Sequence, residues 1–317
     1  MRTRSFLLLA VGVAVVSIWA LRGSEIGLAV QHQLRSSLKP LAMVTTLSIE
    51  GVGDVPLFVA KGDKVVSPWM WAGRVWEPTE TRWFVESLRP GDVVVDVGAN
   101  IGYYTVLAGR LVGEAGRVYA FEPDPTAFEI LRRNVALNGL DNVVLEQKAV
   151  SNEPGSIQLF LDDENHGDHR IYQPEGEHRA AVDVEAVTLD GYFAEVEDSV
   201  DFVKVDTQGA ELVILQGMLD LLNRSPEVVM AFEYSPHHLA GFGADAKDLL
   251  DGIASLGMAK YDLGMGGTDP YLVKPITDEL LLRRYAPTRK FFTNLLLVKG
   301  RPDVVAKLES QVEETSH

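Results

Sequence analysis

Three acidic residues stand where short apolar runs give way to loops. Asp96 ends "VVVD", Glu122 ends "YAFE" and Asp206 ends "DFVKVD". A carboxylate at a strand end can accept hydrogen bonds from a ligand's amine or hydroxyls, or take a proton from a nucleophile. Asp96 also opens "DVGANIGYYT", in which Gly98 and Gly102 bracket Ala99, Asn100 and Ile101. Small residues there would let the backbone approach a bound molecule, as in a nucleotide-cradling turn.

The spacing narrows the ligand. A pyrophosphate turn wants G-x-G-x-x-G, so that the backbone can close on the phosphates. Here Asn100 stands at the second glycine position, and Asp96 puts negative charge beside the would-be phosphate. A cationic or zwitterionic ligand suits this turn better. S-adenosylmethionine fits, because its amino group can meet acidic and carbonyl oxygens. Glu122 can accept both hydroxyls of a ribose, which serves that molecule and NAD equally. Taken alone, each acid could also be an ordinary solvated strand end.

The surrounding elements follow from hydrophobic pattern and turn residues. Strands are expected at Val93–Asp96, Arg117–Glu122, Val143–Val150, Asp201–Asp206, Glu227–Glu233 and Phe291–Lys299. Helices are expected at Tyr103–Val112, Pro125–Asn138, Ala210–Leu222 and Ala244–Leu256, and one more over "EPTETRWFVESL". Short apolar strands alternating with helices make a parallel, doubly wound α/β sheet covered on both faces. Ligands of such sheets sit beyond the carboxyl ends of the strands. Asp206 is thus a candidate to align or deprotonate an acceptor, and equally a candidate N-cap for the helix after it. Glu211, in that helix's first turn, reads as a dipole partner.

Between "SIQLFL" and "AAVDVEAV" lies the polar loop "DDENHGDHRIYQPEGEH". Its His166, His169 and His178 titrate near neutrality and offer alternative bases, as do His237 and His238; solvated loop histidines are the plainer reading. Asp206, Glu233 and Asn294 could form a metal set, but no ligand spacing supports one, so no metal is expected.

Five segments resemble one known family. "DVGANIGYYT", "YAFEPDPTAFEILRRNVALNG", "EQKAVSN", "VTLDGYF" and "DFVKVDTQGAELVILQG" occur in the order and spacing of FkbM-type methyltransferases. The resemblance covers about Thr79 to Lys299 and implies a Rossmann-like class I sheet of seven strands, the last antiparallel. It implies S-adenosylmethionine as cofactor. Asp96, Gly98, Asn100 and Gly102 would line the methionine and ribose part, Glu122 would hold the ribose, and the segment with Ala149 would border the adenine. Members of the family commonly carry Glu where this chain has Gln208.

Composition sets outer limits. The 317 residues carry a net charge of −16, which repels phosphate backbones and argues against nucleic acid as a partner. With no cysteine, disulfides, thiolate metal sites and cysteine nucleophiles are excluded. Phe6–Leu21 is an uncharged apolar run behind Arg2 and Arg4. It reads as an N-terminal hydrophobic helix, serving as membrane anchor or as cleaved signal, and less readily as a core helix. The expected organisation is an anchor or signal over 1–22, a stalk and β extension over 23–78, the methyltransferase domain over 79–300 and a charged tail over 301–317.

Together these residues predict a membrane-anchored, S-adenosylmethionine-dependent methyltransferase. The catalytic domain would face the cytoplasm, and the acceptor would be a sugar, glycan or lipid-linked hydroxyl. An NAD-dependent oxidoreductase and a non-catalytic binding module on the same fold remain as rivals.

Overall fold

The computed structural model describes residues 42–197, 199–264, 274–288 and 290–314. Met1–Met43 and Val44–His317 are separate units, and the fold below is that of the second, apart from the first two residues of β1. The anchor or signal segment Phe6–Leu21 lies outside the described residues. Among those residues, no helix is long and apolar enough to cross a membrane.

A hairpin comes first, β1 (Ala42–Ile49) and β2 (Gly53–Ala60), turned at "EGVG", where Gly51 and Gly53 hold positive φ. It is held to the body by Asn134, whose amide donates to the Phe58 carbonyl at 3.0 Å. Two helices follow, Val66–Trp71 and Pro78–Ser87.

The main sheet begins with β3 (Val93–Val97), β4 (Arg117–Phe121) and β5 (Val143–Glu146). A second, three-stranded sheet interrupts it: β6 (Ala149–Val150), β7 (Gly155–Leu161) and β8 (Ala180–Val187). The main sheet resumes with β9 (Phe202–Val205), β10 (Val228–Tyr234), β11 (Ala259–Asp262), β12 (Lys274–Pro275) and β13 (Thr293–Lys299). Its order is β12-β11-β13-β10-β9-β3-β4-β5. Strands β5, β4, β3, β9 and β10 run parallel, and β13 is antiparallel to both β10 and β11. Seven strands make the expected sheet, and the two-residue β12 adds an eighth at its edge.

Helices on both faces leave the central strands no solvent side. All seven residues of β10 and all four of β9 are buried, so these strands read as continuous apolar runs rather than alternating ones. Lys204 in β9 and Glu233 in β10 are the exceptions that must find partners. Register sets their neighbours: Asp96 lies beside Lys204 on β3, and Asn294 lies beside Glu233 on β13.

Three expectations need correction. The strand expected over Val143–Val150 breaks at Gln147 and Lys148, because Ala149 and Val150 leave the main sheet to pair with β8. The helix expected over Ala210–Leu222 is two helices, Glu211–Gln216 and Leu219–Arg224. Gly217 at the break lies so near β6 that a Cβ there would sit 2.1 Å from the Ser151 carbonyl oxygen. The charged tail after Arg301, read as a solvated helix, is a helix, Pro302–Glu314, but it carries Val304 and Leu308 into the core.

Candidate active site

A cleft of ≈ 350 Å³ opens at the carboxyl ends of β3, β4, β9 and β10, within the size range of small-molecule sites. Asp96, Gly98, Asn100, Glu122 and Ala149 line it, and so do Asp206, His166 and His169. Glu233 and Gln208 line it too, whereas His178, His237 and His238 do not. Gly102 is not among the lining residues. At φ +87° it starts helix Tyr103–Val112, and a Cβ there would sit 2.4 Å from Leu131 Cδ1. Its role is to let that helix pass close to helix Pro125–Leu137.

Gly98 does line the cleft, and the fold constrains it as well. Its φ is +80°, and a Cβ would stand 2.1 Å from the Asp206 carbonyl oxygen. The glycine is required by the close passage of the β3 and β9 loops. Any side chain at 98 therefore disturbs the fold before it reaches a ligand.

Glu122 holds the cofactor end together. One carboxylate oxygen accepts the Asn100 N–H at 2.7 Å and the other accepts the Asp124 N–H at 2.8 Å. Each oxygen keeps a second lone pair for a hydroxyl of a ligand. The residue is 6% exposed, and burial pushes its carboxyl up to about 8, with the nearby Asp124 and Asp96 adding to the rise and the two backbone bonds opposing it. Phe121, Ala149, Val150, Leu159 and Ile171 give this end an apolar wall. A buried acid that can take two hydroxyls, beside apolar walls and a loop without free cations, fits the ribose and adenine of S-adenosylmethionine.

Asp96 is buried and accepts the Thr105 hydroxyl at 2.6 Å. Burial raises its carboxyl, and Lys204 beside it works the other way.

The far end of the cleft is a charge cluster centred on Lys204, which is 2% exposed. Its ammonium lies 3.0 Å from Asp206 Oδ2, 3.6 Å from Glu80 Oε1 and 4.5 Å from the Tyr104 ring centre. Burial alone would push this ammonium down. Asp206, Glu80, Glu77 and Asp96 outweigh burial and hold it above its ordinary value. Asp206 shows the converse: burial would raise it, but Lys204 and its hydrogen bonds hold it below the usual carboxylate range. Glu80 in turn accepts the Asn294 amide.

Asp206 does not cap a helix. Helix Glu211–Gln216 starts at Ala210 with no side-chain cap. The loop before it is tied instead by Glu211, whose Oε1 accepts the N–H groups of Gly209 at 3.0 Å and Thr207 at 3.3 Å. The Asp206 carboxylate meets Lys204 and Gln208, and its side chain is 31% exposed to the cleft.

Of the three loop histidines, His169 differs from the expectation of a free base. His169 Nδ1 accepts the Asp162 N–H at 3.0 Å, and its Nε2 faces Asp124 Oδ2 at 3.8 Å. With its Nδ1 lone pair taken, a neutral His169 carries its proton on Nε2, which leaves it no lone pair to act as a base. His166 offers its backbone carbonyl to the Asn100 amide at 3.4 Å. Asp206, Glu233 and Asn294 do not gather as a metal set, since Lys204 takes the cation position at Asp206 and Asn294 turns to Glu80. Among the described residues no group of three or more His, Asp or Glu side chains is placed to hold a metal.

Glu77, Lys204 and the bridging role of Gln208 were missed in the sequence. Lysine inside a run as apolar as "FVKV" was the available signal, since a buried ammonium demands carboxylates around it.

The sheet and this cleft define a class I methyltransferase fold. The methyltransferase FkbM domain model matches residues 96–258, just over half of the chain, and the chain belongs to that family. "Methyltransferase sdnD" of Sordaria araneosa is 30% identical over 164 residues, covering 42% of this chain and 63% of that protein. "31-O-demethyl-FK506 methyltransferase FkbM" of Streptomyces tacrolimicus is 48% identical over 68 residues, 22% of this chain and 25% of the other. The chain spans less than two thirds of the length of these relatives. Among solved structures, a precorrin-6y C5,15-methyltransferase from Geobacter metallireducens aligns over 69% of this chain and 88% of its own, at 15% identity and TM-score 0.39.

Proposed function

We propose that the chain transfers a methyl group from S-adenosylmethionine to a hydroxyl oxygen of a sugar, glycan or lipid-linked acceptor. One observation carries this reading: an acid suited to a ribose, Glu122, and an acid held ionised, Asp206, face the same cleft. The cofactor supplies a methyl group on a sulfonium, whose thioether leaves neutral and needs no acid. Asp206 would align the acceptor hydroxyl and take its proton, leaving the oxygen as the nucleophile for that methyl group. Trp76 and Phe292 flank this end of the cleft and suit the apolar face of a sugar ring. The surrounding carboxyls disfavour an anionic acceptor. The name of the Streptomyces relative, which marks an oxygen as its methylated atom, supports the same class of nucleophile.

Calorimetric titration of the full chain separates this reading from a nicotinamide enzyme. S-adenosylhomocysteine is expected to bind and NAD to give no heat of binding. Binding of NAD alone would overturn the proposal. Methyl transfer from labelled cofactor to glycosides then separates an enzyme from a binding module.

We further propose that Phe6–Leu21 anchors the chain in a membrane with the catalytic unit in the cytoplasm, where the cofactor is made. Added protease should spare that unit in intact spheroplasts and digest it once they are lysed. Digestion from outside would reverse the topology.

A further inference from the structure

Among the described residues, three that are not glycine hold a left-handed backbone: Glu77 at φ +42°, Asn100 at +50° and Gln208 at +56°. All three line the one cleft. Such residues cost of order 1–3 kcal/mol each and persist where the side chain is needed in one place. Asn100 is accounted for by its bonds to Glu122 and the His166 carbonyl, and Glu77 by the Tyr104 hydroxyl, which donates to it at 3.2 Å. Gln208 does something different. Its one amide nitrogen donates to Glu233 Oε2 at 2.6 Å and reaches Asp206 Oδ1 at 3.3 Å. It is therefore a clamp between the ends of two adjacent strands, β9 and β10.

We propose that Gln208 is a positioning residue that clamps Asp206 and Glu233 into a single acid–base pair for the methyl acceptor. This rests on the reading of Asp206 as the base. An amide nitrogen has two hydrogens and no charge, so it can satisfy one oxygen on each carboxyl without neutralising either. Lys204 takes the other oxygen of Asp206 at 3.0 Å. Among the described residues nothing cationic takes the other oxygen of Glu233: Oε1 lies 3.4 Å from His238 Nδ1, and both atoms are buried without a hydrogen-bond partner there. The pair is thus asymmetric by construction. Asp206 has the ammonium beside it, which holds its carboxyl below the ordinary range; Glu233 has none, and burial, with Asp206 and Glu211 nearby, pushes its carboxyl up. A glutamate at 208 would add a third carboxyl where the amide donates, and would leave two acceptors facing it.

The groups that bear on the pair are Lys204 on its own strand, Asp96 on β3, Glu77 and Glu80 from the start of helix Pro78–Ser87, Glu211 from the next helix, and His238 with Arg170 behind it. Among the described residues only Gln208 hydrogen-bonds to both members, so its replacement should move the pair and leave the outer groups in place.

The test is a carboxyl titration by carbon-13 NMR on the full chain, with and without S-adenosylhomocysteine. Gln208→Gly keeps a residue that accepts the left-handed backbone and removes the amide. It is expected to fold and to raise the titration midpoint of Asp206 by about one pH unit or more, as loss of a hydrogen bond to the charged form does. Gln208→Glu is expected to retain one further proton near neutrality. Gln208→Asn, which also tolerates this backbone but is shorter, serves if the glycine variant unfolds; it should show the same upward shift. Unchanged Asp206 and Glu233 midpoints in a folded variant would overturn the clamp. Should the unsubstituted chain fail to bind S-adenosylhomocysteine, the methyltransferase reading falls, while the titration of the free chain still decides the clamp.

Discussion

Asp206→Asn should lose about 10²–10⁴-fold in methyl transfer while S-adenosylhomocysteine still binds, the cost typical of removing a general base. The substitution keeps the shape and removes the charge and basicity, and it also turns an NH₂ toward one of the two donors that face the carboxylate, Lys204 or Gln208. Its local cost is bounded by what remains around Lys204, which keeps Glu80 at 3.6 Å and Asp96 on the neighbouring strand. A loss of helix capping does not enter, because the helix that follows has no side-chain cap to lose. The measurement is single-turnover transfer from labelled cofactor at saturating concentration, with thermal melting to confirm the fold. A rate within about twofold of the unsubstituted chain would return Asp206 to a structural role and move the search to His166 and Glu77, which share the cleft. The pH dependence should agree. Lys204 holds the Asp206 carboxyl below the ordinary range, so the favourable pairing is in place throughout neutral pH and is lost only as pH falls through that depressed value.

What the sequence disclosed about this site is what a short stretch can encode. Asp96 and Glu122 stood out because an acid at the end of an apolar run is locally visible, and the glycine spacing stood out because a turn is local too. The reason for Gly98 was not visible. It depends on the Asp206 carbonyl oxygen, which belongs to a strand over a hundred positions away and reaches the glycine only through parallel pairing. The link from Asn294 to Glu80 to Lys204 is hidden in the same way, since it joins β13, a helix ahead of the sheet and β9. His169 misled because its residue type is common to catalysis and to loop bracing, and only the Asp162 N–H bonded to its Nδ1 distinguishes them. The edge strands β11 and β12 escaped because four and two residues are too few to carry a period. Chain direction at β13 was legible only through the family resemblance. Nothing in "TNLLLVK" states which way the strand runs.

Cofactor affinity should fall as pH drops below about 8, by up to about tenfold per pH unit, and Glu122 should be the cause. In the free site burial raises the Glu122 carboxyl to about 8, so at neutral pH it is mostly protonated. For folding, a raised value means that the stabilising preference for the neutral form is complete below the ordinary value near 4.5. It is lost as pH rises through about 8, where a buried charge must be carried. For binding the sign is opposite. Ribose hydroxyls donate hydrogen bonds and so favour the ionised carboxylate, which lowers its value in the complex. Below about 8 the ligand must therefore expel a proton, and above it the affinity should level off. Calorimetry of S-adenosylhomocysteine across about pH 6 to 9, in buffers of different ionisation heat, reads both the slope and the proton released. Glu122→Gln is the control. Its amide oxygen can still accept one backbone N–H, but its NH₂ faces the other, so affinity should drop by roughly tenfold or more. More tellingly, the pH slope should vanish with the carboxyl, while any slope that belongs to the amino group of the ligand remains. A slope of equal size in both proteins would remove Glu122 from the ribose, and a flat profile in the unsubstituted chain would mean that its carboxyl is already ionised before the ligand arrives.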